Sequence, residues 1–141
     1  MKIDPTIIVA VIGAVATVTV TILKWRLDKL SDNNKKSENI RNSRLIEGIE
    51  NLSHCNLLLL KLILESKYGL YINDLTSHRD LGRVRRSEIY YRTKELEKRG
   101  YVEIRQMTDH FITLSPNFKK LLQNVENIQK VQIYLKKGIQ K

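Results

Sequence analysis

The stretch that decides the fold is SEIYYRTKELEKRGYVEI (residues 87–104), followed six residues later by FITLSPNFKKLL (residues 111–122). Its first part has apolar side chains at helical spacing, and Gly100 is a typical residue to end that helix. The segments after Gly100 then alternate between apolar and polar side chains, as the two strands of a hairpin do. Ser115, followed by a proline, is a typical helix start. This stretch therefore predicts a helix, a β-hairpin and another helix.

Two further helices are predicted upstream. The run NLLLLKLIL (residues 56–64) is too apolar for a surface helix and predicts a core helix that ends near Gly69. A buried strand is the alternative, but leucine outnumbers valine here and Lys61 is charged, which favours a helix. Asn73 or Asp74 can cap a short helix, and DLGRVRR (residues 80–86) indicates a turn. The predicted fold class is mainly α with a small β-hairpin.

This order of elements, from about His54 to Leu122, resembles a winged helix-turn-helix domain. The segments 87–104 and 111–122 are similar to the recognition helix, the glycine stop and the wing of MarR- or PadR-like transcription regulators. The resemblance implies a winged helix-turn-helix fold, double-stranded DNA as partner and a role in regulating transcription, with no cofactor. Because the same core pattern occurs in winged-helix modules that bind only protein, protein recognition is the alternative.

The resemblance also implies roles for individual residues. The helix at residues 87–99 would enter the major groove, and the side chains outside its Ile89, Thr93 and Leu96 face would reach base edges. These candidates are Ser87, Glu88, Tyr90, Tyr91 and Lys94. The arginines of the preceding turn would pair with phosphates without reading sequence, and they are Arg83, Arg85 and Arg86. The wing would supply a minor-groove or phosphate contact, with Arg105 as the candidate and with Arg105 and His110 flanking its tip.

Glu88 and the two tyrosines could also have roles that involve no contact to DNA. Glu88 could accept a hydrogen bond from a cytosine amino group, or it could simply favour the positive end of its helix dipole. One of the rings of Tyr90 and Tyr91 could pack on a neighbouring helix instead of contacting DNA. The turn QMTD (residues 106–109) also lacks the arginines and glycines that many DNA-contacting wings carry.

An uncharged apolar segment, TIIVAVIGAVATVTVTIL (residues 6–23), lies near the N-terminus. As a helix it would be about 27 Å long, close to the thickness of a bilayer core. Lys24, Arg26 and Lys29 follow it, whereas Lys2 is offset by Asp4 on the other side, so the positive-inside rule predicts an outer N-terminus and a cytoplasmic C-terminal domain. A secretory signal cleaved after the small residues 14–16 is the alternative, but signals carry their positive charges before the apolar run. The prediction is a single-pass protein of the cell membrane.

The remaining segments complete the predicted organisation. The anchor with its basic flank occupies residues 1–30, a polar flexible linker 31–39, an amphipathic helix 40–52, the winged domain 53–117 and a long C-terminal helix 118–141. In that last helix apolar residues recur at three- and four-residue steps, as in a coiled coil. The recurring positions are Phe118, Leu121, Val125, Ile128, Gln132, Leu135 and Ile139. This pattern predicts a homodimer through the C-terminal helix, with packing on its own domain as the alternative. The juxtamembrane helix 40–52 would either pair with a second copy as well or pack on the domain.

The charge balance bears on the partner. The formal net charge is +10, from 25 Lys and Arg against 15 Asp and Glu, which favours nucleic acid or anionic lipid. A tethered module that binds protein, with its basic surface on lipid head groups, is therefore the second hypothesis. An enzyme is not predicted, because the sequence has no phosphate-binding glycine loop and no nucleophile motif. Cys55 is the only cysteine and the three histidines lack ligand spacing, so no metal site is predicted.

Overall fold

The computed structural model describes residues 4–140 of the chain. Lys2, one of the charged residues on which the predicted membrane orientation depends, lies outside the described residues. The helices are α1 Pro5–Gly48, α2 His54–Glu65, α3 Ile72–Thr76, α4 Arg86–Lys98, α5 Pro116–Leu121 and α6 Val125–Ile139, with short 3-10 turns at Ile49–Asn51 and Arg79–Leu81. The strands are β1 Leu70–Tyr71, β2 Val102–Gln106 and β3 His110–Leu114. The chain divides into two units, Met1–Arg41 and Asn42–Lys141.

Helix α1 runs without a break through residues 31–39, where the sequence predicted a flexible linker. That prediction was wrong. The segment has no apolar side chain, but it also has no proline or glycine, and Asp32 and Lys36 stand at the four-residue spacing that favours a helix. Polar composition alone therefore did not distinguish a linker from a solvent-exposed helix.

Within the described part of the chain, α1 is the one helix long and apolar enough to cross a membrane. Its apolar segment is not buried by any other part of the molecule. Length and composition carry this conclusion, and signal sequences satisfy the same criteria. The transmembrane anchor therefore stays a prediction.

The hydrophobic core belongs entirely to the second unit. Every buried apolar side chain among the described residues lies between Ile46 and Leu135, so residues 42–141 contain the complete core. Helix α2 supplies its centre with buried side chains on several sides, which confirms a core helix instead of a strand. Ser53 caps α2 by accepting a hydrogen bond from the Asn56 backbone N–H.

The predicted amphipathic segment 40–52 packs on this core. Helix α1 ends at Gly48 and a 3-10 turn follows, so the segment is not one helix to its end. Ile46, Ile49 and Leu52 are buried, whereas Ile40 is exposed. The Tyr101 hydroxyl donates a hydrogen bond to the Leu45 carbonyl at 2.8 Å. These contacts join the end of α1 to the winged domain.

The sheet has three antiparallel strands in the order β1-β3-β2. The predicted hairpin is confirmed, with Val102 opposite Leu114 and Gln106 opposite His110. Strand β1 was not predicted, because two residues are too short to show an alternating pattern. Gly69 precedes it with φ +110°, and a Cβ there would lie 2.5 Å from the Ile112 carbonyl oxygen. This position therefore requires glycine.

The C-terminal helix was predicted to run unbroken from residue 118, which was wrong. Helix α5 ends at Leu121 and α6 starts at Val125. Asn124 caps α6 by accepting from the Glu126 N–H at 2.9 Å, and the Asn127 amide donates to the Leu121 carbonyl at 3.0 Å. The coiled-coil pattern predicted for residues 118–139 therefore does not lie on one continuous helix.

The burial of the α6 side chains shows which of the predicted coiled-coil positions face the domain. Val131 and Leu135 are buried, whereas Val125 and Gln132 are exposed. Helix α6 packs on α2 and on the turn Ile49–Asn51. The apolar side of α6 therefore covers its own domain, as the alternative interpretation proposed.

Candidate nucleic-acid interface

Helix α4 is the predicted recognition helix, and it begins one residue before the predicted start. Ile89, Thr93 and Leu96 are buried, which confirms the face predicted to point inward. The Thr93 hydroxyl donates to the Ile89 carbonyl at 2.7 Å, so this buried polar group has a partner. The opposite face of α4 is therefore open to solvent.

The open face carries four polar side chains in one stripe. Ser87, Tyr91, Lys94 and Lys98 follow one another at steps of four, three and four residues, and all are exposed. The Tyr91 ring is 65% exposed, so it is the one of the two tyrosines that is available to a partner. Sequence reasoning did not select Lys98, although its four-residue spacing from Lys94 places it on the same face.

The turn before α4 points two arginines outward. Leu81 is fully buried and Val84 packs against the core, so these two apolar side chains fix the turn. Arg83 and Arg85 stand beside them in exposed positions. Within residues 4–140 neither forms an ion pair with a carboxylate. Their guanidinium groups are therefore available to a phosphate.

Arg86 differs from the other two arginines. Its guanidinium pairs with the Asp109 carboxylate at 3.0 Å, across to the turn of the β-hairpin. Asp109 also accepts hydrogen bonds from the backbone N–H groups of Asn73, at 3.1 Å, and His110, at 2.8 Å. The structure thus directs Arg86 toward the wing, where sequence reasoning expected a third phosphate contact. We call these three interactions of Asp109 the wing clasp.

The wing clasp connects α3, α4 and the hairpin. The Asp109 side chain is only 15% exposed, and the Asn73 N–H is the main cause that holds the pKa of Asp109 below its ordinary value. The His110 N–H and the Arg86 guanidinium act in the same direction. Asp109 was predicted only as a turn residue, since a pairing across 23 residues leaves no signal in one sequence.

Glu88 has a partner that neither interpretation of the sequence considered. Its carboxylate accepts a hydrogen bond from Arg92, one turn later, at 2.8 Å. Lys94 likewise pairs with Glu97 at 2.8 Å. Both α4 side chains are therefore engaged within their own helix, and the positive field of that helix is partly compensated.

Glu95 forms a second polar cluster at the flank of α4. It pairs with Arg99 at 2.8 Å and accepts from the Asn56 amide at 2.9 Å. The Asn56 hydrogen bond is the main reason that the pKa of Glu95 lies below its ordinary value. This cluster joins α4 to the core helix α2, so it fixes the orientation of α4.

The wing itself offers few charges. The Tyr90 ring meets the His110 ring edge-on at 4.9 Å, so Tyr90 packs on the wing, where the sequence left open a contact to DNA or to a helix. Arg105 is exposed and its guanidinium lies 3.7 Å from the Glu103 carboxylate. Met107, at the hairpin tip, is largely exposed. Arg105 thus lies near the hairpin end of β2, opposite Phe111 in the sheet.

Metal and thiol chemistry have no assembled site in the described part of the chain. No group of three His, Cys, Asp or Glu side chains there could hold a metal ion. Burial raises the pKa of the Cys55 thiol, which makes it a weaker nucleophile.

The comparisons with known proteins add two distant structures. No protein-family model matches the sequence, and no curated protein matches it. A MarR-family transcriptional regulator from Rhodococcus sp. RHA1 has 15% identity and a TM-score of 0.46, over 76% of each chain. A protein described as a MarR family transcriptional regulator from Clostridium acetobutylicum has 18% identity and a TM-score of 0.41, over 78% of this chain and 81% of that chain.

Proposed function

We propose that this chain is a membrane-anchored winged-helix protein that binds double-stranded DNA and regulates transcription. Helix α4 enters the major groove, with Ser87, Tyr91 and Lys94 toward the base edges. Arg83 and Arg85 pair with phosphates and set the docking position. The observation that carries the proposal is this pair of exposed arginines, free of carboxylate partners in the described chain, directly before the open face of α4.

The other site residues take supporting roles in this proposal. Arg86 holds the wing through Asp109, so it positions the hairpin and makes no phosphate contact. Arg105 supplies the wing's contact to the DNA backbone, since it is the exposed cation of that hairpin. Tyr90 supports the wing through His110, and Glu88 restrains Arg92.

Three observations support α1 as the anchor. The hydroxyls of Thr17, Thr19 and Thr21 donate to the carbonyls of Gly13, Val15 and Thr17, so they need no partner in the hydrocarbon. Trp25 stands at the C-terminal edge of the apolar segment, with the Lys29 ammonium 4.9 Å from its ring centre. The basic residues after the segment favour a cytoplasmic domain, where DNA is accessible.

A homodimer follows from the same proposal, because winged-helix dimers bind paired half-sites on DNA. Helix α1 offers exposed leucines for self-association at Leu27 and Leu30. The C-terminal helix is the less favourable route, since Val131 and Leu135 are already buried in its own domain.

The test uses the fragment 42–141, which contains the complete core, and double-stranded DNA across a salt series. We expect Arg83→Ala and Arg85→Ala each to lower the slope of log affinity against log salt by about one, because each removes one phosphate contact. Lys61→Ala and Lys67→Ala, made singly, each remove the same charge from a different part of the domain and should leave the slope unchanged. Equal slopes for all variants would contradict the phosphate contacts.

The second hypothesis, a tethered module that binds protein, has one observation in its favour. Glu88, Glu95 and Glu97 pair with cations of α4, which weakens the attraction of that helix for a polyanion. If neither the folded fragment nor the full chain in detergent binds DNA even at low salt, this hypothesis replaces DNA binding.

A further inference from the structure

Helix α6 turns a lysine-rich face to solvent. Its inner side is set by Val131 and Leu135, and Gly138 approaches the Leu57 side chain so closely that a Cβ would collide. At the centre of the opposite side Ile133 is 51% exposed. Lys130 lies three residues before Ile133, and Lys136 and Lys137 lie three and four residues after it. All three lysines are exposed. We call this surface the lysine face.

The lysine face is unpartnered. Within residues 4–140, none of its three lysines forms an ion pair with a carboxylate. The one acid on this side of α6, Glu126, lies in the first turn, where it favours the helix dipole. Ammonium groups around an exposed isoleucine match a partner that offers both anionic groups and an apolar interior, as an anionic phospholipid surface does.

The lysine face differs in place from the proposed DNA face. Helix α6 packs on α2 and on the turn Ile49–Asn51, whereas α4 packs on α2, α3 and β2. A second copy docked through the same face would bring lysines against lysines, which costs free energy. Neither α4-bound DNA nor a symmetric dimer therefore accounts for this surface.

We propose that the lysine face of α6 docks on an anionic phospholipid surface. The lysines lie among the headgroup phosphates and Ile133 inserts between them, as in interfacial amphipathic helices. The inference rests on the proposed anchor for the nearness of a bilayer, and it is independent of DNA binding.

The first test uses the fragment 42–141, which lacks the anchor segment, with vesicles of phosphatidylcholine with and without phosphatidylglycerol. We expect co-sedimentation only with the anionic vesicles, weakened by salt. Each lysine near an anionic surface raises partitioning about fivefold, so Lys130→Gln with Lys137→Gln should weaken binding on the order of 25-fold. Lys61→Gln with Lys67→Gln is the control of equal charge, and Ile133→Ser should also weaken binding. Circular dichroism verifies that each variant is folded.

The second test uses the full chain in lipid nanodiscs. Lysine acetylation followed by mass spectrometry should show Lys130, Lys136 and Lys137 protected in discs that contain phosphatidylglycerol and reactive in discs of phosphatidylcholine alone. Lys61 should react equally in both. If the fragment binds anionic vesicles but high salt releases the full chain from the membrane, the anchor fails and the lysine face stands.

Four outcomes of the two lipid tests would overturn the proposal. They are no binding to anionic vesicles, equal binding to neutral and anionic vesicles, equal loss in the control variant, and protection of the three lysines without anionic lipid. The last outcome, together with a dimer in sedimentation, would assign the face to a second copy. Loss of DNA affinity in the Lys130 and Lys137 variant, with vesicle binding unchanged, would assign it to DNA.

Discussion

At the scale of single residues, Asp109 shows how a turn residue comes to organise an interface. Its two carboxylate oxygens receive the Asn73 N–H, the His110 N–H and the Arg86 guanidinium, so one side chain connects three elements. Hydrogen bonds that involve a charged group are stronger than neutral ones, and their loss leaves donors without partners. The wing is therefore held by a charge and not by its own two strands alone.

We predict that Asp109→Asn lowers the urea midpoint of unfolding at neutral pH. Because folding lowers the pKa of Asp109, this stabilisation is complete above its ordinary value of 3.8 and is lost as the pH falls below it. The difference between the wild-type protein and Asp109→Asn should thus shrink on acidification. Asp80→Asn removes an exposed carboxylate as the control, and an equal effect of both variants would contradict the wing clasp.

Tyr101 provides a second prediction at this scale. Its ring is 2% exposed and meets the Phe118 ring edge-on at 5.3 Å, while its hydroxyl donates to the Leu45 carbonyl. We expect Tyr101→Phe to lower the free energy of unfolding by about 1 kcal/mol, because that carbonyl loses its donor.

The pH dependence of Tyr101 tests the same contact. Burial raises the pKa of Tyr101 to about 12 from an ordinary value of 10.0. The stabilising effect of the neutral hydroxyl is therefore complete below pH 10 and is lost as the pH rises toward 12. The difference between wild type and Tyr101→Phe should disappear over that range in alkaline denaturation. A constant difference would show that the hydroxyl is not buried.

At the scale of elements, local signals predicted more than long-range ones. Ser115 was predicted as a cap, and its hydroxyl does accept the Phe118 N–H at 3.2 Å. The hairpin and the buried face of α4 were also predicted, because each repeats a short spacing. The break between α5 and α6 was missed because apolar residues continue at helical steps across it. The segment 31–39 was predicted to be a flexible linker because it has no apolar side chain, although it belongs to helix α1. The pairing of Arg86 with Asp109 depends on the fold and leaves no local pattern.

The cap at Asn124 yields a prediction for α6. Its side-chain oxygen accepts the Glu126 N–H, and no side chain replaces it in an alanine variant. We expect Asn124→Ala to lower the free energy of unfolding by about 1 kcal/mol, as loss of a helix cap does. Asn117→Ala, in the first turn of α5, removes an amide that does not cap α6 and should have a smaller effect. Equal effects in urea titrations would mean that the break is not set by this cap.

At the scale of the whole molecule, the two units differ in how their apolar residues are placed. Residues 42–141 carry the complete core, the proposed DNA face and the lysine face, whereas the apolar segment of α1 is not buried by the rest of the molecule. An exposed apolar surface of this length is unfavourable in water, and a bilayer removes that cost. The fragment 42–141 therefore measures DNA binding without the apolar segment, and comparison with the full chain measures what that segment contributes to membrane association.

The orientation of the anchor gives the last prediction. Lys24, Arg26 and Lys29 should keep the C-terminal domain in the cytoplasm, because positive flanking residues resist transfer across the membrane. A C-terminal fluorescent protein should therefore be active and a C-terminal alkaline phosphatase inactive, and changing the three residues to glutamate should give a mixture of orientations. Lys61→Glu, Lys67→Glu and Lys119→Glu make the same charge change far from the segment and should keep the orientation. An active phosphatase on the unaltered chain would reverse the topology, and a product that lacks residues 1–16 would identify a cleaved signal.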